Sequence, residues 1–213
     1  MLENFSVDTI KNKFKNDSRF KFGTLVIGGL LVLLLGGLAY YQFIWKAKNN
    51  ESKNAWWKGM NYAEKDSTNL AITELTKVKK KYDGYIGGEE AQFVLARQFM
   101  AKGEFKKALK ELDEVKIDDT FLSAMRFGLT GDCQSEMKEY KKAIETYLEA
   151  SETNVNEYTT PMYLFKAGLH SEKINDFKKA TELYTKIRDE YPAYAGQKTI
   201  DKYIARASGK VVK

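Results

Sequence analysis

Apolar residues divide the chain into one continuous hydrophobic segment and a longer amphipathic region. Residues 22–45, FGTLVIGGLLVLLLGGLAYYQFIW, contain no charged side chain. As an α-helix this segment would extend roughly 36 Å, at about 1.5 Å per residue, which is enough to cross the hydrocarbon core of a bilayer. Tyr40, Tyr41, Phe43 and Trp45 lie together at one end, where aromatic rings favour the headgroup region. Because the segment has no polar stripe, the pattern predicts a transmembrane helix rather than a buried helix of a soluble protein.

A cleaved signal peptide is the alternative for this segment. Gly37 and Ala39 resemble the small residues that precede a cleavage site. The preceding tail is long, however, and the apolar run continues past Ala39, which favours an uncleaved anchor. Gly29 and Gly36 lie seven residues apart and close to one helix face, so they are candidate contacts with another membrane helix.

Basic residues flank the hydrophobic segment on both sides, with a modest excess before it. Lysine and arginine occur at positions 11, 13, 15, 19 and 21 before it, and lysine at positions 46, 48, 53 and 58 after it. The bias predicts that residues 1–21 form a basic cytoplasmic tail and that the C-terminal region lies on the other side of the membrane. The tail itself is expected to lie along the membrane surface or to be disordered.

A repeated hexapeptide sets the register of the amphipathic region, which follows a polar linker predicted at residues 46–54. The motif has an aromatic third residue, two lysines and a final alanine. It appears as GEFKKA at 103–108, KEYKKA at 138–143 and NDFKKA at 175–180. The closing alanines are 35 and 37 residues apart, and a further step back of 37 residues reaches Ala71. A period near 34 with small residues on two packed helices is the tetratricopeptide pattern.

Two further sets of positions follow the same register. Twelve residues before each alanine stand the small residues Gly59, Ala96, Gly131 and Gly168. Four residues after each alanine stand the large residues Leu75, Leu112, Tyr147 and Tyr184. The small residues are expected where the first helix of a repeat presses on the second, and the large ones where repeats stack.

The predicted fold is therefore all-α: a single N-terminal transmembrane helix followed by a tetratricopeptide-like solenoid. About four helix pairs fill residues 55–192, with repeats near 52–85, 89–120, 124–157 and 161–192. Pro192 stands at the end of the fourth repeat. Residues 193–213 are predicted to form a capping helix, which presents Ile200, Tyr203 and Ile204 on one face, and a C-terminal tail.

Catalytic and metal-binding patterns are nearly absent from the sequence. His170 is the single histidine and Cys133 the single cysteine, which excludes an intramolecular disulfide, a cysteine metal cluster and a histidine-pair zinc motif. A Cys133–His170 dyad is formally possible, but the repeat register places both residues between helices. Lysines and acids are interspersed at a net charge of +6, which does not form the single-sign stripe of a nucleic-acid binder. We therefore expect a protein without enzymatic activity, cofactor, metal or nucleic-acid partner.

The concave surface of the solenoid is the expected site of protein binding. It is lined by the second, fifth, ninth and twelfth positions of each first helix, and these include Asp132, Ser135 and Glu172. The apolar or otherwise distinctive residues at these positions are Trp56, Met60, Phe93, Arg97, Met100, Met125, Met162, Phe165 and Leu169. Methionine repacks readily against varied partners, so the composition predicts an adaptable apolar groove. The alternative is that some of these residues complete the core against the capping helix.

The order of these parts resembles the YfgM-type ancillary subunit of the bacterial Sec translocon. The likeness is strongest in EEAQFVLARQFMAKGEFKKALKEL, residues 89–112, which is similar to that family's second repeat. The resemblance implies an inner-membrane protein with its repeats in the periplasm, beside the SecYEG channel and a PpiD-type membrane-anchored peptidyl-prolyl isomerase. Its partners would include unfolded secreted chains and membrane lipid.

Two other functions agree with the same architecture. One is a structural scaffold of another envelope machine, such as cell division or outer-membrane assembly. The other is an N-anchored receptor whose repeats lie in the cytosol. The first expectation remains an adaptor or chaperone-like subunit at the site of protein export.

Overall fold

The described part of the chain is helical and contains no β-strand. The computed structural model describes residues 6–116 and 119–211. Its helices are α1 (Val7–Asn16), α2 (Ser18–Ala39), α3 (Lys46–Ala55), α4 (Trp57–Glu64), α5 (Thr68–Lys81), α6 (Ile86–Ala101), α7 (Phe105–Glu114), α8 (Thr120–Glu136), α9 (Tyr140–Thr153), α10 (Thr159–Lys173), α11 (Phe177–Glu190), α12 (Pro192–Lys198) and α13 (Ile200–Val211). A π-helical segment, Tyr40–Trp45, follows α2. Residue contacts divide the chain into two units, one up to Glu51 and one from Ser52 onward.

The N-terminal unit contains the predicted tail and the hydrophobic segment. The Asp17 side chain accepts hydrogen bonds from the backbone N–H groups of Arg19 (2.9 Å) and Phe20 (3.1 Å) and so caps the start of α2. No residue of α2 is buried. One helical run among the described residues, Ser18–Glu64, is long and apolar enough to cross a membrane by length and composition. The exposed apolar side chains of α2 are what a lipid-facing helix requires.

The predicted tail forms a helix over most of its length. Residues 7–16 are α1, whose first turn is capped by the side chain of Ser6, so a disordered tail is wrong for this stretch. Residues 1–5 of the tail lie outside the described residues. The predicted polar linker, 46–54, lies within α3, because its lysine, alanine and glutamate residues favour helix and it has no glycine or proline.

Close backbone contact joins α3 to the start of α6. The Ser52 hydroxyl accepts a hydrogen bond from the backbone N–H of Gly87 at 3.1 Å. A Cβ atom on Gly87 would overlap the Ser52 carbonyl group, and one on Gly88 would overlap the Tyr82 carbonyl oxygen. Only glycine at these two positions lets the backbones approach so closely.

The repeat register predicted from the alanines is confirmed. Four helix pairs, α4/α5, α6/α7, α8/α9 and α10/α11, follow one another in chain order. The aromatic residues of the hexapeptides, Phe105, Tyr140 and Phe177, are the first residues of α7, α9 and α11. The turns before these helices, and before α5, share one backbone device, a residue with positive φ two positions before the second helix. These residues are Asp66, Gly103, Lys138 and Asn175.

Packing within each repeat follows the predicted pairing of small and large residues. The four alanines are fully buried, and so are the large residues Leu75, Leu112, Tyr147 and Tyr184. The small residue of the first helix lies directly against the large residue of the second. A Cβ on Gly131 would lie 2.6 Å from Cε1 of Tyr147, and one on Gly168 would lie 2.5 Å from Cε1 of Tyr184. The glycines therefore make room for the tyrosine rings.

The C-terminal cap consists of two helices, α12 and α13, rather than the single capping helix predicted within residues 193–213. Pro192 is the first residue of α12 and does not simply end the fourth repeat, because its fixed φ suits a first helical position. Thr199 adopts a left-handed conformation (φ 53°), which turns the chain between α12 and α13. Helix α13 packs against α11 and buries Ile200 and Ala207. Tyr203 and Ile204 pack against the same core, as the predicted apolar face requires.

Candidate protein-interaction groove

Two adjoining openings lie along the first helices of the last repeats, and we call them together the groove. The first has a volume of about 460 Å³ and the second about 490 Å³. They share His170 and Lys173 of α10. The lining residues come from α6, α8, α10 and α13, with two aromatic residues from α7 and α9. They are Met100, Phe105, Asp132, Ser135, Glu136, Tyr147, Lys166, Leu169, His170, Glu172, Lys173, Arg206 and Lys210.

An acid, a tyrosine and a cation form the polar centre of the first opening. Asp132 accepts a hydrogen bond from the Tyr147 hydroxyl at 2.6 Å. The same carboxylate binds the Lys166 ammonium, with Nζ at 2.7 and 2.9 Å from its two oxygens. Asp132 belongs to α8 and Lys166 to α10, so this charge-assisted contact joins two successive repeats.

The same arrangement recurs one repeat later. Glu172 accepts a hydrogen bond from the Tyr184 hydroxyl at 2.7 Å. Arg206 donates to the same carboxylate through Nη2 at 2.7 Å and Nε at 3.0 Å, so the pair is bidentate. Burial, followed by the neighbouring carboxylate, raises the pKa of both Tyr147 and Tyr184 well above the ordinary value, so both hydroxyls remain protonated donors. Helix α13 therefore occupies the place of a fifth first helix.

His170 lies between the two openings and has a partner on each ring nitrogen. Its Nδ1 is 2.7 Å from the Lys166 carbonyl oxygen, which can only accept, so Nδ1 carries the proton. Its Nε2, 2.6 Å from Oγ of Ser135, then accepts from that hydroxyl. Burial lowers the pKa of His170 below its ordinary value, so the ring is neutral at pH 7.

Cys133 does not form part of this arrangement. It is fully buried, and burial, followed by the negative charge of Asp132, raises the pKa of its thiol to about 12. The thiol is therefore protonated at neutral pH, whereas a nucleophilic cysteine requires the thiolate. Among residues 6–116 and 119–211, no three histidine, cysteine, aspartate or glutamate side chains are grouped so that they would hold a metal ion.

The lowered pKa of His170 predicts that the free energy of unfolding depends on pH. Because the folded chain lowers the pKa of His170, the unfolded chain takes up a proton first as the pH falls through about 6.5. The stabilisation is complete above that pH and is lost as the pH falls through the lower, folded-state pKa. We expect urea unfolding to show a larger loss of free energy between pH 7.5 and 5.5 in the unmodified chain than in His170→Gln. Equal losses in the two proteins would contradict this assignment.

Two lysines at the rim of the groove are not paired with a carboxylate among the described residues. Lys173 Nζ lies 4.9 Å from the centroid of the Tyr140 ring, and Lys210 Nζ lies 4.9 Å from that of Phe177. Such cation–π contacts hold an ammonium group in place without neutralising its charge. The rim therefore presents two positive charges beside the paired Asp132 and Glu172, while the exposed Glu136 adds a negative charge to the first opening.

Most residues predicted for the concave surface are half-buried and contact the core. Trp56 and Met60 pack against the cluster of the first repeats, Met100 and Met125 against the next cluster, and Met162 against the C-terminal cluster. Two of the predicted residues differ from the others in burial. Phe93 is a buried core residue, and Arg97 is exposed.

Phe165 contacts the C-terminal cap. Its ring lies edge-on to Tyr203 of α13 with centroids 4.8 Å apart, and tilted against Tyr184 at 5.8 Å. This is the alternative role that the sequence left open, in which a concave position completes the core. Of the nine predicted residues, Met100 and Leu169 line the groove.

The cations of the groove were not predicted from the sequence. The acids Asp132 and Glu172 stood at predicted concave positions, but Lys166, Lys173, Arg206 and Lys210 did not. A signal was present, because each acid precedes its cation by 34 residues, which is one repeat. The candidate membrane-helix contacts, Gly29 and Gly36, have no other atom within 4 Å of the position that a Cβ atom would take. The surface of α2 is therefore uncovered at both positions.

Comparison with known proteins assigns the fold. No protein-family model matches the chain, and no curated protein is similar to it in sequence. A crystal structure of MamA covers 76% of this chain and 92% of its own length, with 23% identity and a TM-score of 0.57. Tetratricopeptide-like repeats of a putative kinesin light chain from Podospora anserina cover 76% and 87%, with 13% identity and a TM-score of 0.59.

A third similar structure is that of pilF from Pseudomonas aeruginosa. It covers 75% of this chain and 78% of its own length, with 20% identity and a TM-score of 0.54. At these identities the likeness concerns the fold, and it agrees with the repeat register described above. The chain thus has a tetratricopeptide-repeat fold.

Proposed function

We propose that this chain is a membrane-anchored adaptor that holds a partner protein or an emerging secreted chain at the Sec translocon. The observation that carries the proposal is the direct connection of α2, an apolar helix with no buried residue, to a tetratricopeptide array. The helix restricts the array to a membrane surface, and the array supplies the binding surface. The proposed role is binding without catalysis.

The location and the partners rest on the resemblance to the YfgM-type subunit. In this proposal the N-terminus is cytoplasmic, the repeats lie in the periplasm of a bacterial inner membrane, and SecYEG and a PpiD-type isomerase are neighbours. The modest excess of basic residues before the hydrophobic segment supports that orientation. The order of anchor and repeats supports the choice of family.

The groove suits a partner that is a polypeptide segment. Its floor is fixed by two ion pairs that join repeats, so little side-chain freedom is lost when a partner binds. Its rim offers the charges of Lys173 and Lys210, and Leu169 adds an apolar contact. A segment with acidic and apolar side chains would complement this surface.

Two measurements test the location and the partner. In spheroplasts, external protease is expected to digest the repeat region, whereas protection would place it in the cytosol. After extraction in mild detergent, the chain is expected to co-purify with SecYEG components. Recovery as a lone oligomer, or with a cell-division or outer-membrane assembly complex, would overturn the assignment to the translocon.

A charge reversal at Arg97 tests the concave surface without disturbing the core. Arg97 is exposed on α6, so Arg97→Glu is expected to leave the unfolding midpoint unchanged. If a partner binds this face, recovery of that partner should fall roughly three- to tenfold, the range typical for a rim charge. The matched control is Lys106→Glu, at an exposed position of α7. Equal recovery with both variants would show that the bound partner does not contact Arg97.

A further inference from the structure

One edge of the repeat unit is formed by the loops that lead from each second helix to the next first helix. Successive helices alternate in direction, so these loops share one edge, while the short turns within repeats share the other. We call them the proximal edge and the distal edge. The chain begins the repeat unit at the proximal edge, since Ser52 contacts Gly87 in the first turn of α6. In the next turn of α6, Glu89 accepts a 2.6 Å hydrogen bond from the backbone N–H of Lys116, in the following loop.

Large apolar side chains are exposed along the proximal edge. The described loops or helix starts that lead into α6, α8 and α10 each contribute at least one of them, whereas the connection from α11 to α13 contributes none. They are Ile86 (43% exposed), Phe121 (50%), Val155 (68%) and Tyr158 (82%). Isolated exposed apolar residues are ordinary on protein surfaces, but a row from three successive repeats on one edge is a candidate interaction surface.

The distal edge differs in composition. It consists of the turns 65–67, 102–104, 137–139 and 174–176, in which every exposed residue is charged, asparagine or glycine. Leu70, in the first turn of α5, is an exposed large apolar residue on this edge. When the first turns of the helices are counted on both edges, the described distal edge exposes this one large apolar side chain and the proximal edge exposes several.

Chain length ties the proximal edge to the end of the apolar segment. Ser52 stands seven positions after Trp45, where that segment ends. This stretch spans about 10 Å as a helix and at most about 25 Å when extended. If α2 crosses the bilayer, the edge therefore starts close to the headgroups whatever the orientation of the two units. Aromatic rings favour that region because one end of each ring system is apolar and the other can meet water.

The charges of the proximal edge do not explain a contact with lipid. In its loops and the adjoining helix ends, exposed Lys80, Lys81 and Lys116 are outnumbered by acids, which are Asp83, Asp113, Glu114, Asp119, Glu152 and Glu157. A contact between this edge and a bilayer therefore has to come from the apolar side chains, which a bilayer surface covers.

We infer that the proximal edge lies on the lipid surface, with Phe121, Val155 and Tyr158 inserted among the headgroups. This inference rests on the proposed membrane anchoring by α2. It adds a second contact with the membrane, because anchoring by α2 alone does not fix the orientation of the repeats relative to the bilayer. Contact along the edge holds the groove at a set height above the bilayer, within reach of a chain that emerges beside it.

Spin labels on the full-length chain test the inference in vesicles of phosphatidylethanolamine and phosphatidylglycerol. Labels are placed one at a time through Val155→Cys on the proximal edge, Lys141→Cys near the distal edge and Leu33→Cys in α2. The native Cys133 is buried with a raised thiol pKa and should not react, which labelling of the unmodified chain verifies. We expect the labels at 155 and 33 to be more accessible to oxygen than to a water-soluble nickel complex, and the label at 141 to show the reverse.

The outcomes separate the two proposals. A label at 155 that behaves like the label at 141, while the label at 33 lies in lipid, overturns the inference and leaves the anchor in place. A label at 33 in water overturns both. A label at 155 that becomes immobile only in native membranes, and not in pure lipid, identifies a protein partner and also overturns the inference.

A double variant tests whether the exposed rings of Phe121 and Tyr158 hold the proximal edge on the bilayer. Phe121→Ser with Tyr158→Ser changes two exposed side chains, so the thermal midpoint is expected to stay the same. The label at 155 should then shift towards nickel accessibility, because the apolar contacts that hold the edge on the bilayer are gone. The matched control, Leu70→Ser, should leave the label at 155 unchanged. An unchanged label in the double variant would contradict the assigned role of these rings.

Discussion

Replacing Gly168 with alanine is expected to lower the free energy of unfolding by about 1–2 kcal/mol, although alanine is the better helix former. The new Cβ would lie 2.5 Å from Cε1 of Tyr184, inside van der Waals contact. Tyr184 is fully buried and its hydroxyl is bound to Glu172, so the ring has little freedom to move. Overpacking of this kind typically costs about 1–3 kcal/mol, and the gain in helix propensity offsets at most about 1 kcal/mol.

Gly209→Ala is the matched control for Gly168→Ala. Gly209 lies in α13 with nothing within 4 Å of an added Cβ, so the same substitution should stabilise the chain by up to about 1 kcal/mol. Both are measured by urea unfolding in detergent micelles, followed by near-ultraviolet circular dichroism. A loss of stability in both variants would show that the effect does not arise from the Tyr184 contact.

A double-mutant cycle assigns the cost to the ring. The second repeat carries alanine and leucine, Ala96 and Leu112, where the fourth carries Gly168 and Tyr184. In a Tyr184→Leu background, Gly168→Ala recreates the pair of the second repeat and should cost less than it does alone. Contacting residues typically show coupling of about 0.5–3 kcal/mol, and additive effects would contradict the proposed contact.

An aspartate at Ile200 is expected to detach the C-terminal cap. Ile200 is buried in the C-terminal cluster, and Ile200→Asp removes its packing and places a carboxylate there without a partner. Together these changes cost roughly 4 kcal/mol or more. Release of α13 also withdraws Arg206 from Glu172 and removes one wall of the second opening of the groove.

Limited trypsin digestion and hydrogen exchange measure this release. We expect cleavage at residues of α13 at trypsin concentrations that leave the unmodified chain intact, with the exchange protection of the earlier repeats retained. The control is Ala205→Asp, which adds the same charge at an exposed position of the same helix. Equal sensitivity of both variants would show that charge on α13, and not loss of the Ile200 contact, is responsible.

The repeat core was predictable because its packing is local and recurs. The alanines and the small and large residues that surround them occupy the same positions in each helix pair, so one register located all of them. The break at Thr199 was not predictable, since a left-handed threonine leaves no compositional signal. The role of Phe165 depends on how closely α13 follows the last repeat, which periodicity does not report.

The groove lies beside some of the predicted concave positions, but its polar chemistry was not predicted. Apolar residues at concave positions suggested an adaptable, methionine-lined surface, whereas most of them contact the core in this short array. The polar floor depends on pairs of side chains one repeat apart, such as Asp132 with Lys166. Helical periodicity, which relates residues within a few turns of one helix, does not report contacts over that separation.

The placement of acid and cation one period apart also bears on how such an array can grow. A tandem duplication of residues 132–168 would carry Asp132, Tyr147 and Lys166 together, so the added copy would supply its own interfacial pair. Glu172 and Arg206 would remain at the end and would close the longer array as they close this one. Gene duplication could thus add a repeat together with its own acid–cation pair in a single step.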